Sequence, residues 1–223
     1  MNPVTDAKTN YSKPKIVNEL INNNNPTATS ISNRRKVLDG ILSTDLLPEL
    51  GLKGYGLDVT IMQSTLVETG ILVENKEEDR TYFCTEGLDD KVQNVLDEIT
   101  KFLLNTTTIG MTSFGNLYDK LIKPKYGIGL RKGVIPIFIS VVLQKHMRHI
   151  VILKNGHEME LKGQLLDDIN DKPDEYDVFL EDWNEEKEVY IDFLERTFDA
   201  DSRSKEYNTF NYVFKALQRW FMS

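Results

Sequence analysis

The sequence predicts a mainly α protein with small β-hairpins (α+β), built as two tandem winged-helix-like units followed by C-terminal helices. Three observations lead there. Pro136 suits the first turn of a helix, and Ile135, Phe138, Ile139 and Val142 recur at helical spacing, with Ile137, Val141 and Leu143 widening the apolar face until the helix is buried nearly all round. Asn155-Gly156, two residues that tolerate positive φ, joins the β-prone run Ile150 to Lys154 to the alternating run His157 to Leu161, which predicts a hairpin directly after the buried helix. The order helix, helix, hairpin from Asn33 to Cys84 then recurs, with one more helix, from Lys91 to Leu161.

Taken in order, residues 1–32 are expected to form an arm or linker, loosely ordered apart from a short helix at Ile16 to Ile21. The tract Asn22 to Asn25 and the following Pro-Thr-Ala-Thr-Ser offer little apolar surface to offset ordering entropy. The first unit, 33–90, starts with a helix capped by Ser32 or Asn33 and carrying Val37, Leu38, Ile41 and Leu42 on one face. A glycine-punctuated turn at Gly51, Gly54 and Gly56 leads to a helix capped by Asp58 and ended by Gly70. The strands Ile71 to Glu74 and Arg80 to Cys84 close the unit. The second, 91–182, has an amphipathic helix from Lys91 to Leu104, a helix capped by Thr112 or Ser113 and stopped at Lys123-Pro124, and then the buried helix and hairpin. A short helix at Gly163 to Ile169, a turn at Lys172-Pro173-Asp174 and a strand at Tyr176 to Leu180 follow. The C-terminal helical extension, 183–223, comprises Glu185 to Phe198, with Tyr190, Ile191, Leu194 and Phe198 aligned, and Tyr207 to Met222. Its abrupt apolar end, Trp-Phe-Met-Ser, suggests a segment of a longer polypeptide.

At 223 residues with 40% hydrophobic content the chain can bury proper cores. It carries neither a signal peptide nor an apolar run of about 20 residues, so a cytoplasmic protein with no membrane contact is expected. A single cysteine, Cys84, excludes an internal disulfide and a cysteine-rich metal site, and is expected as a small buried residue in a strand. The net charge of -8 is unevenly distributed: Lys123, Lys125, Arg131, Lys132, Lys145, Arg148 and Lys154 dominate one segment, and acidic residues dominate from Asp167 to Glu188. Such blocks form solvated faces or electrostatic docking surfaces.

No chemistry announces itself. Gly127-Ile-Gly-Leu-Arg-Lys-Gly133 has neither the P-loop nor the dinucleotide spacing, and a helix precedes it where both motifs need a strand, so it is read as a tight turn entering the buried helix. His146 and His149 could share a helical face, yet Lys145 and Arg148 beside them repel a cation. The paired acids Asp167-Asp168 and Glu185-Glu186 sit in a tract read as solvated. No catalytic, metal-binding or cofactor-binding residue is assigned, and no cofactor is expected. Winged helices commonly bind DNA through the third helix, but the polar residues here, Ser140, Gln144 and Lys145, make a poor reader of bases. DNA binding, if any, would be weak and would use phosphate contacts from Lys123, Lys125, Arg131, Lys132, Arg148 and Lys154.

Three phrases, Gly127 to Ile137, Leu47 to Gly56 and Asn18 to Asn22, resemble segments of very large prokaryotic multidomain P-loop ATPases of phage-defence and restriction gene clusters, over a span from about Asn18 to Trp220. The resemblance implies an internal region of such an ATPase, with the nucleotide-binding motifs outside this chain. The expected role is a non-catalytic interaction or regulatory region contacting other domains of the same polypeptide or a partner protein. A nucleic-acid-binding module using the 123–154 surface is the alternative.

Overall fold

The structure, a computed structural model, describes residues 14–75, 80–123, 127–181, 184–198 and 217–222. It is an α+β protein with two small antiparallel sheets. Helix α1 (Ala28–Ile41) leads to α2 (Leu57–Met62), which widens into a π-helical turn at Gln63–Val67. The hairpin of β1 (Leu72–Asn75) and β2 (Arg80–Phe83) follows. Then come α3 (Asp90–Ile109), β3 (Thr112–Ser113), α4 (Phe114–Ile122), α5 (Ile135–Gln144), β4 (Ile150–Lys154), β5 (His157–Glu158), α6 (Gly163–Asp171), β6 (Tyr176–Leu180) and α7 (Glu185–Phe198). One hydrophobic cluster extends from Ile16 to Leu180 and takes side chains from both halves of the chain. Among the described residues, no helix is long and apolar enough to cross a membrane.

Residues 14–27 are not the loose linker their composition predicts, and Ile16 to Ile21 is not helical. They form a strap. Ile16 and Ile21 are buried in the core, and the asparagines supply the hydrogen bonds that a regular element would otherwise provide. Asn18 Nδ2 donates to Ser64 Oγ at 3.0 Å, and Asn22 Nδ2 donates to the Ile16 carbonyl at 3.0 Å. The backbone N–H of Gly133 donates to the Asn23 carbonyl at 2.9 Å. A Cβ at Gly133 would lie 1.9 Å from the Ile21 carbonyl oxygen, so only glycine lets strap and loop touch. Helix α1 also starts earlier than expected: Thr27, not Ser32 or Asn33, is the N-cap, its Oγ1 accepting from Ser30 N at 3.2 Å.

The π-turn in α2 has a local cause. The Ser64 hydroxyl donates to the Thr60 carbonyl at 2.8 Å and the Thr65 hydroxyl to the Ile61 carbonyl at 2.6 Å, taking up acceptors that the wider turn releases. Gly56, rather than Asp58, is the N-cap. The Asp58 carboxylate instead pairs with Lys36 Nζ at 3.0 Å. Gly70, at φ 78°, ends the segment as expected. Residues 76–79 of the charged turn lie outside the described residues, and Cys84 sits half-buried just past β2, its N–H donating to the Ile71 carbonyl.

The second sheet has four strands in the order β3-β6-β4-β5. Asn155 and Gly156, at φ 52° and 78°, make the predicted tight turn. The strand expected over His157 to Leu161 pairs only at His157–Glu158. Strand β6 adds to the sheet as expected, but as its centre, between β4 and a strand the periodicity did not show. That strand, β3, is two residues long. Its Ser113 also caps α4, so the pairing was hidden beneath a helix-start signal. Helix α5 is buried from Ile135 through Leu143, including Ser140, whose hydroxyl donates to the Ile137 carbonyl at 2.8 Å.

Beneath α1 lies an ion network that corrects the reading of Asp167 as a solvated acid. Arg34 is 1% exposed and Asp167 4%. Asp167 Oδ1 accepts from Arg34 Nη2 at 2.5 Å and Nε at 3.1 Å, while Oδ2 accepts from Arg35 Nε at 2.8 Å. Arg34 Nη1 donates to the Gly133 carbonyl at 2.8 Å. The network therefore ties α1, α6 and the glycine loop together, and Asp39 on α1 accepts from the Gly163 N–H at the start of α6.

Candidate interaction surface

Helix α7 is set up by its own first turn. The Asn184 side chain accepts from the Lys187 N–H at 2.9 Å, and Glu185, Glu186 and Glu188 crowd the positive end of the helix dipole. Three arcs follow from a turn of about 100° per residue. Ile191 points into the protein and is buried. Glu188 and Asp192, one turn apart, face Arg148, whose Nη1 and Nη2 lie 3.4 Å from Glu188 Oε1 and Asp192 Oδ1 respectively. Val189, Tyr190 and Phe193 form the third arc and are 66%, 61% and 61% exposed. Tyr190 was expected to align with Ile191, Leu194 and Phe198. It lies a quarter-turn away and faces out. The helical residues 217–222 expose Trp220, Phe221 and Met222, with the Trp220 ring edge-on to Phe198 at 5.4 Å. Most of the helix expected over Tyr207 to Met222 lies outside the described residues.

Arg148 lies in a turn between His146 and His149, whose Nδ1 and Nε2 are 3.1 Å apart with the rings edge to face. Burial lowers both imidazole pKa values, helped by His149 and Lys145 around His146 and by Arg148 around His149, against the pull of Glu188. Among the described residues, no group of three or more His, Cys, Asp or Glu side chains is placed to hold a metal ion. Burial pushes the Tyr118 phenol well above its ordinary pKa, against the pull of Arg34, so this hydroxyl stays protonated.

The six basic residues proposed for phosphate contacts are differently placed. Lys123 pairs with Asp119 one turn before it on α4. Lys125 lies outside the described residues. Lys154 donates to Tyr176 Oη at 2.9 Å and lies 3.3 Å from Glu175 Oε2; these two bonds raise its pKa. Arg148 is engaged by α7. Among the described residues, Arg131, exposed, and Lys132, half-buried, have no carboxylate partner. They precede α5 whereas Arg148 follows it, and a ten-residue helix separates the two groups by about 15 Å. Of the basic block, Arg148 and Lys154 thus pair with carboxylates of the acidic C-terminal part, Glu188 and Asp192 for the one and Glu175 for the other. Neither the α7 arc nor the asparagine strap was identified from sequence; the signal for the former was Val189, Tyr190 and Phe193 at one-turn spacing beside, rather than on, the Ile191 stripe. No protein-family model, curated protein or solved structure matches the chain.

Proposed function

We propose that this chain is a non-catalytic, winged-helix-type interaction or regulatory region of a larger cytoplasmic ATPase of the phage-defence type, docking on other domains of that polypeptide or on a partner protein. The observation that carries this reading is the exposed apolar arc Val189, Tyr190 and Phe193, presented on a capped helix that Arg148 anchors. Apolar area that water still covers is the main reserve of association free energy, at about 25 cal/mol per Å² removed from water. Strand order supports the winged-helix assignment of the second unit. In a winged helix a short strand after the first helix joins the sheet formed by the hairpin after the third. Here β3 follows α3 and pairs with β6, which pairs with β4 after α5, leaving β5 and α6 as an insertion in the wing. Helix α5, in the position of the third helix, is buried from Ile135 through Leu143 and offers no row of polar side chains to base edges. The alternative, a nucleic-acid-binding module, is favoured among the described residues by Arg131 and Lys132.

The test uses the intact polypeptide encoded around this segment. That protein should hydrolyse ATP, and Val189→Ser/Tyr190→Ser/Phe193→Ser should change its rate at least about fivefold while leaving the melting temperature of the isolated chain unchanged. An unchanged rate, or a parent without ATPase activity, refutes the reading.

A further inference from the structure

The outward arc of α7 is self-complementary under chain reversal. Glu186 and Arg196 lie five residues on either side of Ile191, and Val189 and Phe193 lie two on either side. All four side chains are exposed. Among the described residues neither Glu186 nor Arg196 has an ion-pair partner, although Glu188 and Asp192 on the neighbouring arc are both engaged by Arg148. Two copies of α7 laid antiparallel across a two-fold axis at Ile191 would therefore set Val189 on Phe193 of the other copy, place Tyr190 beside the axis, and bring Glu186 to Arg196 at each end. In a parallel pairing, by contrast, Glu186 would face Glu186.

We propose that a second copy of this chain is the partner of the α7 face, through an antiparallel, two-fold helix pair with Val189, Tyr190 and Phe193 at its centre and Glu186–Arg196 ion pairs at its ends. The proposal rests on the interaction reading above and names its partner. A single helix pair falls short of the roughly 1,000 Å² that stable interfaces clear, so the association is weak and reversible. In a larger assembly it adds to other contacts as an intramolecular step.

Sedimentation velocity of the isolated chain from about 5 to about 500 micromolar, in salt that shortens the Debye length to about 8 Å, tests it. The expected result is a rise from monomer to dimer mass across that range. Glu186→Arg and Arg196→Glu should each weaken association about fivefold or more, because each places like charges together twice per dimer. The double variant Glu186→Arg/Arg196→Glu should restore it to within about twofold of the wild type. Circular dichroism of every variant establishes that the fold is intact. A monomer throughout, no response to the single reversals, or no recovery in the double variant each overturns the proposal. Those outcomes leave the interaction reading standing if the triple serine variant still changes the parent's ATPase rate; that reading falls only when the rate is also unchanged.

Discussion

Asp167→Ala tests the architecture most directly, because it removes a carboxylate on which two arginines converge. Arg34, 1% exposed, would lose both bonds to Oδ1 and keep only the Gly133 carbonyl, leaving a guanidinium desolvated without a counter-charge. Breaking a buried pair from one side costs about 3–5 kcal/mol. For a chain of this size each kcal/mol moves the melting temperature by about 2–4 °C, so a fall of about 6–20 °C is expected by differential scanning calorimetry. The control is the double variant Arg34→Met/Asp167→Leu. It removes both buried charges, and Arg35, whose side chain is 35% exposed, can turn to water. The residual cost is then the orphaned Gly133 carbonyl, about 1–3 kcal/mol, and the double variant should melt above the single one. A single variant within about 1 kcal/mol of wild type, or a double variant less stable than the single, refutes the buried network.

Gly133→Ala should cost at least about 3 kcal/mol, because its Cβ meets backbone that cannot move independently; Gly129→Ala, at φ 70° with open space around it, should cost about 1–2 kcal/mol, and equal effects in chemical denaturation would remove the strap contact. The His146–His149 pair predicts a pH dependence. Both folded pKa values lie below the ordinary 6.5, so as pH falls through 6.5 the unfolded chain takes up protons first and stability declines until the folded pKa values are passed; above about pH 7.5 the effect is flat. His146→Gln/His149→Gln should flatten the slope between pH 7 and pH 5 in urea titrations, and an unchanged slope would contradict the assignment. For duplex DNA, Arg131 and Lys132, the two of the six without a carboxylate partner among the described residues, give a slope of log affinity against log salt near about -2 by fluorescence anisotropy, whereas about -5 would mean that all six basic residues reach phosphate.

Legibility from sequence followed the length of the periodic signal. Helices α3, α5 and α7 and the Asn155-Gly156 turn were readable because several residues in each agree: an apolar stripe, a cap, a residue suited to positive φ. Three features were not. The strap has no period, since its order comes from asparagine side chains bonding to elements distant in sequence, so composition pointed to a linker. Strand β3 is shorter than one alternation. Asp167 and Asp168 are neighbours on α6 with opposite fates: Asp167 faces Arg34 and is buried, while Asp168 accepts from Gln164 at the surface. Only tertiary placement separates them. The same holds for the α7 arc, whose exposed face resembles a core stripe until it is known that Ile191 is the residue facing inward.

The charge pattern had the same ambiguity, and its resolution shapes the functional reading. A basic segment followed by an acidic one fits either two faces offered to different partners or two surfaces that neutralise each other. Here Arg148 meets Glu188 and Asp192, Lys154 meets Glu175, and Arg34 and Arg35 meet Asp167. The exposed pairs among these, those of Arg148 and Lys154, contribute little stability, about 0–1 kcal/mol each, yet they have a large effect on binding. A cation already held by a carboxylate releases less counterion on meeting phosphate, and the field that would steer a polyanion is cancelled at its source. The α7 arc is treated in the opposite way. Glu188 and Asp192 are drawn to one side by Arg148, and no charged residue lies between Val189, Tyr190 and Phe193 on the arc that faces solvent. A partner meeting that arc has no salt bridge to break before apolar surface is buried, and this is the physical reason for ranking protein contact above nucleic acid.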